Sequence, residues 1–256
     1  MRRILAAAAP LIAAALVAGC VGAPAAPGSG GELPVLRIAA AASLQAAFDR
    51  IGEAFEAAHP DIALAPMSFD GSSTIITQLI EGAPYDIIAT ADEPSMQRAV
   101  EAGVIADPQI FASNTLVLVT TVEHAADIAS VAALARPELD VVLCAPEVPC
   151  GRATSALLDL HRISVSPVSL EQSVAGVLAK VASREADAGL VYATDAAASG
   201  DVISVPVDHA DAVVNRYPIA VTSHAREADA ARAFADFVLG PEGQAILAEL
   251  GFGSGS

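Results

Sequence analysis

A chain of 256 residues that is 54% hydrophobic can bury a sizeable core, as one large domain or as two lobes, and with aromatics at only 4% that core is built from aliphatic side chains. The formal net charge of −17 excludes nucleic acid and an anionic lipid surface as binding partners. It also means that an anionic ligand gains nothing from the overall field and has to be held by local dipoles.

Residues 1–19 read as a signal peptide, with Arg2 and Arg3 as its charged start and an apolar run over 4–17. Val17-Ala18-Gly19-Cys20 resembles a bacterial lipobox, which predicts cleavage before Cys20 and lipidation of its thiol; the other reading is an ordinary signal peptide with an incidental cysteine. Residues 20–33 are rich in Gly, Pro, Ala and Ser and read as a flexible tether. No second apolar run is long enough to span a bilayer. The expectation is a soluble, monomeric protein anchored outside the cell through lipid.

From Val35 onward short strands alternate with helices. Residues 35–39 read as a buried strand. A helix over 44–58 follows, with Leu44, Ala47, Phe48, Ile51 and Phe55 on one face. A strand over 62–69, the polar turn Asp70-Gly71-Ser72-Ser73-Thr74 and a helix carrying Ile75, Ile76, Leu79 and Ile80 repeat that arrangement. Residues 85–90 form a third strand and 95–102 a helix. A long β-rich run covers 114–121, a helix is expected over 128–135, and 141–143 is a buried strand leading to a helix that begins near Gly151. A helix starts at Ser173-Val174, and strands follow at 188–192, 202–207 and 217–221. A late helix carries Phe234, Phe237 and Val238, residues 240–243 break it, and 244–250 form the last one. Alternation of this kind implies α/β architecture, with ligands beyond the carboxyl ends of parallel strands. The number of elements favours two lobes, 34–113 plus 218–256 forming the first and 114–217 the second.

Ser43 and Ser72 each stand between a strand and a helix. A plain N-cap is the commonest use of such a serine, but two in equivalent positions, both hemmed by small residues, suggest a shared anion site at helix N-termini. Tyr192 closes an apolar strand, where a tyrosine is ordinarily a core aromatic. Ala91 and Val174 have only backbone N–H groups to offer. Cys144 and Cys150 are close enough to form a disulfide in an oxidising compartment, with two buried thiols as the other reading. The histidines are scattered, and no metal-binding pair, nucleophile elbow, phosphate loop or calcium loop is present, so no catalytic site is expected.

Several segments together resemble the extracytoplasmic molybdate-binding proteins of ABC importers. They are Ala40-Ala41-Ala42-Ser43-Leu44, Phe69-Asp70-Gly71-Ser72-Ser73-Thr74, the Gly82-Ala83-Pro84-Tyr85-Asp86 to Ala91-Asp92 segment, Pro146-Glu147-Val148-Pro149-Cys150-Gly151, Gly189-Leu190-Val191-Tyr192-Ala193-Thr194-Asp195-Ala196, and the ending Gly240-Pro241-Glu242-Gly243 to Phe252. The resemblance implies two α/β lobes of the class II periplasmic-binding type, each a mixed, mostly parallel sheet flanked by helices, closing about a two-strand hinge. It implies molybdate or tungstate as ligand, no cofactor, no enzymatic activity and a membrane permease as partner. Carried over residue by residue, Ser43, Ser72 and Tyr192 become hydroxyl donors. Cys150 and Val174 become backbone donors from the second lobe, and Ala91 lines the first. The chain departs from the pattern at Gly71, where serine is common, and at Cys150, where alanine is usual. Rival readings are a binder of sulfate, a polyamine or ferric iron, and a lipid-anchored hydrolase using Ser43 or Ser72. The separation of Tyr85, Tyr192 and Tyr217 in the sequence weighs against iron.

Overall fold

The structure, a computed structural model, describes residues 33–255. The expected signal peptide, the lipidated Cys20 and all but the last residue of the tether lie outside the described residues. Among the described residues no helix is long and apolar enough to cross a membrane.

The chain begins with β1 (Val35–Leu36) and β2 (Ile38–Ala41), then a 3-10 turn (Ala42–Leu44) that runs into α1 (Gln45–Ala58). Helix α1 buries Ala47, Phe48, Ile51 and Phe55, the face that the spacing predicts. Next come β3 (Ala63–Leu64), β4 (Ser68–Asp70), α2 (Ser72–Ile80), β5 (Ile87–Ala89) and α3 (Glu93–Glu101). Helix α3 starts where Asp92 accepts from the Ser95 N–H at 3.0 Å and a proline occupies the first turn. The chain goes on through β6 (Gln109–Asn114), β7 (Leu116–Thr120), β8 (Val141–Cys144), α4 (Pro149–His161), β9 (Ser169–Glu171), α5 (Val174–Ala182), β10 (Ala188–Tyr192), α6 (Ala193–Ala198) and β11 (Ile203–Val205). It ends with β12 (Asn215–Val221), α7 (Ala228–Leu239), α8 (Pro241–Glu249) and β13 (Gly253–Ser254).

Two mixed sheets result, each flanked by helices, in the order β13-β6-β12-β5-β2-β4 and β11-β7-β10-β8-β9, with β1 and β3 as a small parallel pair. In each sheet one half is parallel: β5-β2-β4 in the first and β10-β8-β9 in the second. The other half is antiparallel, and there the chain changes sheets. Strand β6 ends at Asn114 and β7 begins at Leu116, so the expected single run over 114–121 is two strands split at Thr115. The return is from β11 to β12, and β12 pairs with β6 so that Asn215 faces Asn114. The first crossover and the start of the returning strand therefore run side by side.

Four further expectations need correction. The strand expected over 62–69 is two short strands, β3 and β4, which belong to different sheets. Residues 128–135 form only a short 3-10 turn (Val131–Ala135), because Pro137 forces Arg136 into extended backbone and ends the segment before an α-helix can nucleate. Helix α6 has no counterpart among the elements expected from the sequence. The expected break over 240–243 narrows to Gly240 alone, since Pro241 opens α8 directly.

The first lobe's core rests on tilted aromatic contacts. Phe48 lies 5.9 Å from Phe111 and 6.0 Å from Phe234, and Phe55 lies 5.1 Å from Phe234, which pins α1 against β6 and α7. Each such fully buried side chain contributes about 1.5–3 kcal/mol. In the second lobe a Cys144–Cys150 disulfide ties the end of β8 to the first turn of α4. Gly151, next in that turn, sits so close to the preceding loop that a Cβ there would lie 1.7 Å from the Ala145 carbonyl oxygen. Gly151→Ala is therefore expected to destabilise the fold by about 1–3 kcal/mol, the usual cost of overpacking. Urea denaturation checks this, and an unchanged midpoint would show that the loop yields freely.

Candidate functional site

The carboxyl ends of the six parallel strands converge on one small cavity between the two sheets. Its volume is about 20 Å³. That is below the roughly 300–1,000 Å³ of clefts that take drug-sized molecules. Ser43, Ser72, Ala91, Cys150, Val174 and Tyr192, the six residues named from the sequence, all line it.

From the first sheet, β2 delivers Ser43, β4 delivers Gly71 and Ser72, and β5 delivers Ala91. Neither serine caps a helix with its side chain, which corrects the simpler reading of both. Ser43 lies within the 3-10 turn, and its Oγ is 3.1 Å from the Tyr217 hydroxyl. Ser72 is the first residue of α2, and its Oγ accepts the Ala91 N–H at 3.0 Å. That bond occupies a lone pair of Ser72 and leaves its own O–H free to donate elsewhere. It also commits the Ala91 N–H to Ser72.

From the second sheet, β8 leads through the disulfide loop to Cys150 in the first turn of α4, and β9 leads to Val174, the first residue of α5. Ser173 does cap α5, accepting from the Gly176 N–H at 3.3 Å. First-turn N–H groups have no acceptor within their own helix and sit at its positive end. Both helices thus begin at the cavity wall, with Cys150 and Val174 in the lining.

Tyr192 ends β10. Its side chain is buried and its hydroxyl has no hydrogen-bond partner. Burial holds that hydroxyl well above the usual tyrosine range, with the charges of Tyr217, Asp92 and Asp195 adding to the effect and Arg152 opposing it. Burial pushes the Tyr217 hydroxyl up as well, with the charge of Asp195 adding to it, while Ser43, Asn114 and the nearby Tyr192 hydroxyl work the other way; the approach of the two tyrosine hydroxyls falls short of hydrogen-bonding geometry, so Tyr192 stays unpartnered. The two rings meet edge to face, 5.9 Å apart. Distance along the sequence is therefore a poor argument against iron, since Tyr192 and Tyr217 adjoin in space. The better argument is the lining itself: Tyr192 is its one tyrosine and Asp70 its one carboxylate, with Tyr217 behind the wall, a thin ligand set for ferric iron.

Among the described residues no lysine, arginine or histidine lines the cavity. Asp70 is the one carboxylate in the lining, and its Oδ1 accepts the Gly71 N–H at 2.6 Å. The departure at Gly71 has a steric consequence. A Cβ there would lie 2.1 Å from the backbone oxygen of Gln172 on the facing lobe, so only glycine permits this closeness of the two walls.

Tyr217, Asp92, Arg152 and Asp195 escape a reading of the sequence alone. The first three act through partners more than fifty residues away, and no local pattern announces them. Asp195 has a local signal, because it stands three residues after Tyr192 at the start of α6, where a carboxylate accepts the N–H of the residue before the helix. Its Oδ2 is sealed from solvent without a partner, and burial raises its pKa from 3.8 to about 7. An acid raised in the folded state costs nothing below its unfolded pKa and destabilises progressively as pH rises towards the folded value. Between about pH 4 and 7 the wild type is expected to lose stability that Asp195→Asn retains, at up to about 1.4 kcal/mol for each pH unit crossed. Melting temperatures across that range check it, and parallel curves for the two proteins would refute it.

Comparison with known proteins bears on the family and the fold. Residues 36–253 match the family described as bacterial extracellular solute-binding protein. The chain is 42% identical over 252 residues to the molybdate-binding protein ModA of Mycobacterium tuberculosis, a match covering 94% of this chain and 95% of that one. Among solved structures, the periplasmic molybdate-binding protein of Azotobacter vinelandii superposes with a TM-score of 0.67 at 20% identity, covering 85% of this chain and 98% of that one. The sulfate-binding protein SubI of Mycobacterium tuberculosis superposes with a TM-score of 0.73 at 19% identity, covering 86% of each chain. At such identities the two superpositions establish the two-lobed fold and not the ligand.

Proposed function

This chain belongs to the bacterial extracellular solute-binding protein family, and from that premise we propose that it captures molybdate, and tungstate alike, and hands it to an ABC permease. The observation that carries the reading is the buried Tyr192 hydroxyl, protonated and without a partner, in a cavity that also gathers two serines and two helix N-termini. An orphaned buried donor is costly unless a ligand accepts from it. The ligand class follows from the donor set. Hydroxyls and backbone N–H groups converge without a cation, so the guest brings its own negative charge and small size.

In this reading Ser43, Ser72 and Tyr192 donate through hydroxyls, and Cys150 and Val174 through backbone N–H groups. Ala91 forms wall and orients Ser72, and Tyr217 orients Ser43. Residues 34–113 plus 218–256 form one lobe and 114–217 the other, moving about the paired crossover strands at Asn114 and Asn215. Outside the described residues, removal of the signal peptide and lipidation of Cys20 tether a monomer to the outer face of the cell membrane. Closure of the lobes presents a joint surface to the permease.

Selectivity follows from donors and size. Phosphate near neutral pH keeps a proton that needs an acceptor, and a cage of donors leaves it unpaired. Sulfate has the right charge but is smaller, so a rigid cage holds it loosely. Tungstate matches molybdate in charge and closely in size. Calorimetric titration is expected to show tight binding of molybdate and tungstate and much weaker binding of sulfate and phosphate. Phosphate binding as tightly as molybdate would make Asp70 an acceptor and end the donor-only account; sulfate doing so would reassign the ligand.

Removing one donor has a defined cost. Tyr192→Phe, Ser43→Ala and Ser72→Ala should each weaken molybdate binding by about 10- to 100-fold, corresponding to about 1.5–3 kcal/mol for a hydrogen bond to a charged group. Unchanged affinity in all three would detach the cavity from the ligand. Gly71→Ser, which places a side chain against Gln172, should weaken binding by hindering closure; binding equal to wild type would show that the lobes part without cost.

A further inference from the structure

Beside the cavity, and outside its wall, Arg152 crosses from one lobe to the other. It stands in α4 of the second lobe, in the turn after Cys150. Its Nε donates to Asp92 Oδ2 at 2.7 Å, and its Nη2 lies 2.6 Å from the same oxygen and donates to Ser95 Oγ at 2.8 Å. Its Nη1 is bonded to the Glu147 carbonyl of its own loop. Asp92 and Ser95 both belong to the start of α3 in the first lobe, where Asp92 Oδ1 already accepts the Ser95 N–H. A second bond follows the same seam, from Ser73 Oγ of the first lobe to the Glu147 carbonyl at 2.8 Å.

We propose that Arg152 is a closure latch that holds the lobes shut over the bound anion and sets how long it stays, by pairing with Asp92 and Ser95 across the cleft. The inference rests on the anion-binding reading and deepens it. Asp92 directly follows Ala91, and Glu147 directly precedes Val148, so the latch grips both walls of the cavity at once. The Asp92 side chain is only 8% exposed in this closed arrangement, against 33% for Arg152. Closure therefore buries a carboxylate close to the site of an incoming anion, which is costly unless a cation covers it. Arg152 supplies that cover, and its donors are spent on Asp92, Ser95 and Glu147 rather than on the guest. The latch forms only once the lobes meet, so it acts on escape and not on capture.

The test is stopped-flow measurement of molybdate association and dissociation on the full chain. The proteins are wild type, Arg152→Ala, Arg152→Lys, Asp92→Asn and the double variant Arg152→Ala/Asp92→Asn, each checked for folding by circular dichroism. Arg152→Ala should raise the dissociation rate about tenfold or more while association changes little, as loss of one member of a buried charge pair does. Arg152→Lys should recover part of the loss. The double variant should release the anion more slowly than Arg152→Ala alone, because the uncovered carboxylate is gone; a merely structural arginine gives no such rescue. An unchanged dissociation rate in Arg152→Ala, or a double variant no better than the single, overturns the latch. If the wild type prefers sulfate, tungstate or phosphate, the same rates are read with that anion, so a wrong ligand assignment and a failed latch give different results. Binding of none of these anions by the wild type would overturn both.

Discussion

The structure turns on one buried hydroxyl. Tyr192 closes the central strand of the second sheet with its ring in the core and its O–H at the cavity, where no protein group accepts it. Burial keeps that proton in place, and the same holds for Tyr217 behind it. A site made this way offers hydrogen-bond donation without a cationic side chain. Inside a chain of formal charge −17, that is how a small anion can be drawn in without a lysine or arginine in the wall.

The fold supplies the remaining donors by repetition. Strand, small-residue turn and helix recur in both lobes, and each recurrence leaves first-turn N–H groups or a serine at the carboxyl edge of a parallel sheet. Small residues and close approaches keep these turns near one another: Gly71 against Gln172, Gly151 against Ala145, and the Cys144–Cys150 bond fastening the α4 turn to its strand. The antiparallel halves of the sheets carry the crossovers, and these adjoin the site. Buried Asn114 and Asn215 lie opposite each other there, one bonded to Thr194 in the second lobe and the other to the Ala91 carbonyl at the cavity wall. The crossover strands are thus wired to both sides of the site.

Much of this is legible in the sequence, and the limits have physical causes. Helix α1 is readable because its buried face repeats at helical spacing, and Ser43 and Ser72 stand out because each falls at a junction of strand and helix; Ala91, Cys150, Val174 and the donor role of Tyr192 are nameable only through the family resemblance. What the serines bond to is not legible. The partners Tyr217 and Ala91 reach them through the sheets, across 174 and 19 residues. The Arg152–Asp92 pair is equally silent, since charges 60 residues apart meet only after both lobes are built. The split at Thr115 is hidden because one uninterrupted β-rich run serves two sheets. The failed helix at 128–135 shows apolar periodicity losing to a nearby proline.

The claim at the centre is that an oxyanion sits among uncharged donors drawn from both lobes. Anomalous diffraction at the molybdenum edge, on crystals grown with molybdate, tests it most directly. The account predicts a single strong peak within hydrogen-bonding reach, through the anion's oxygens, of Ser43, Ser72 and Tyr192 on their side chains and of Cys150 and Val174 on their backbones. A peak held by Arg152 or another cation, or one that touches a single lobe, would contradict it.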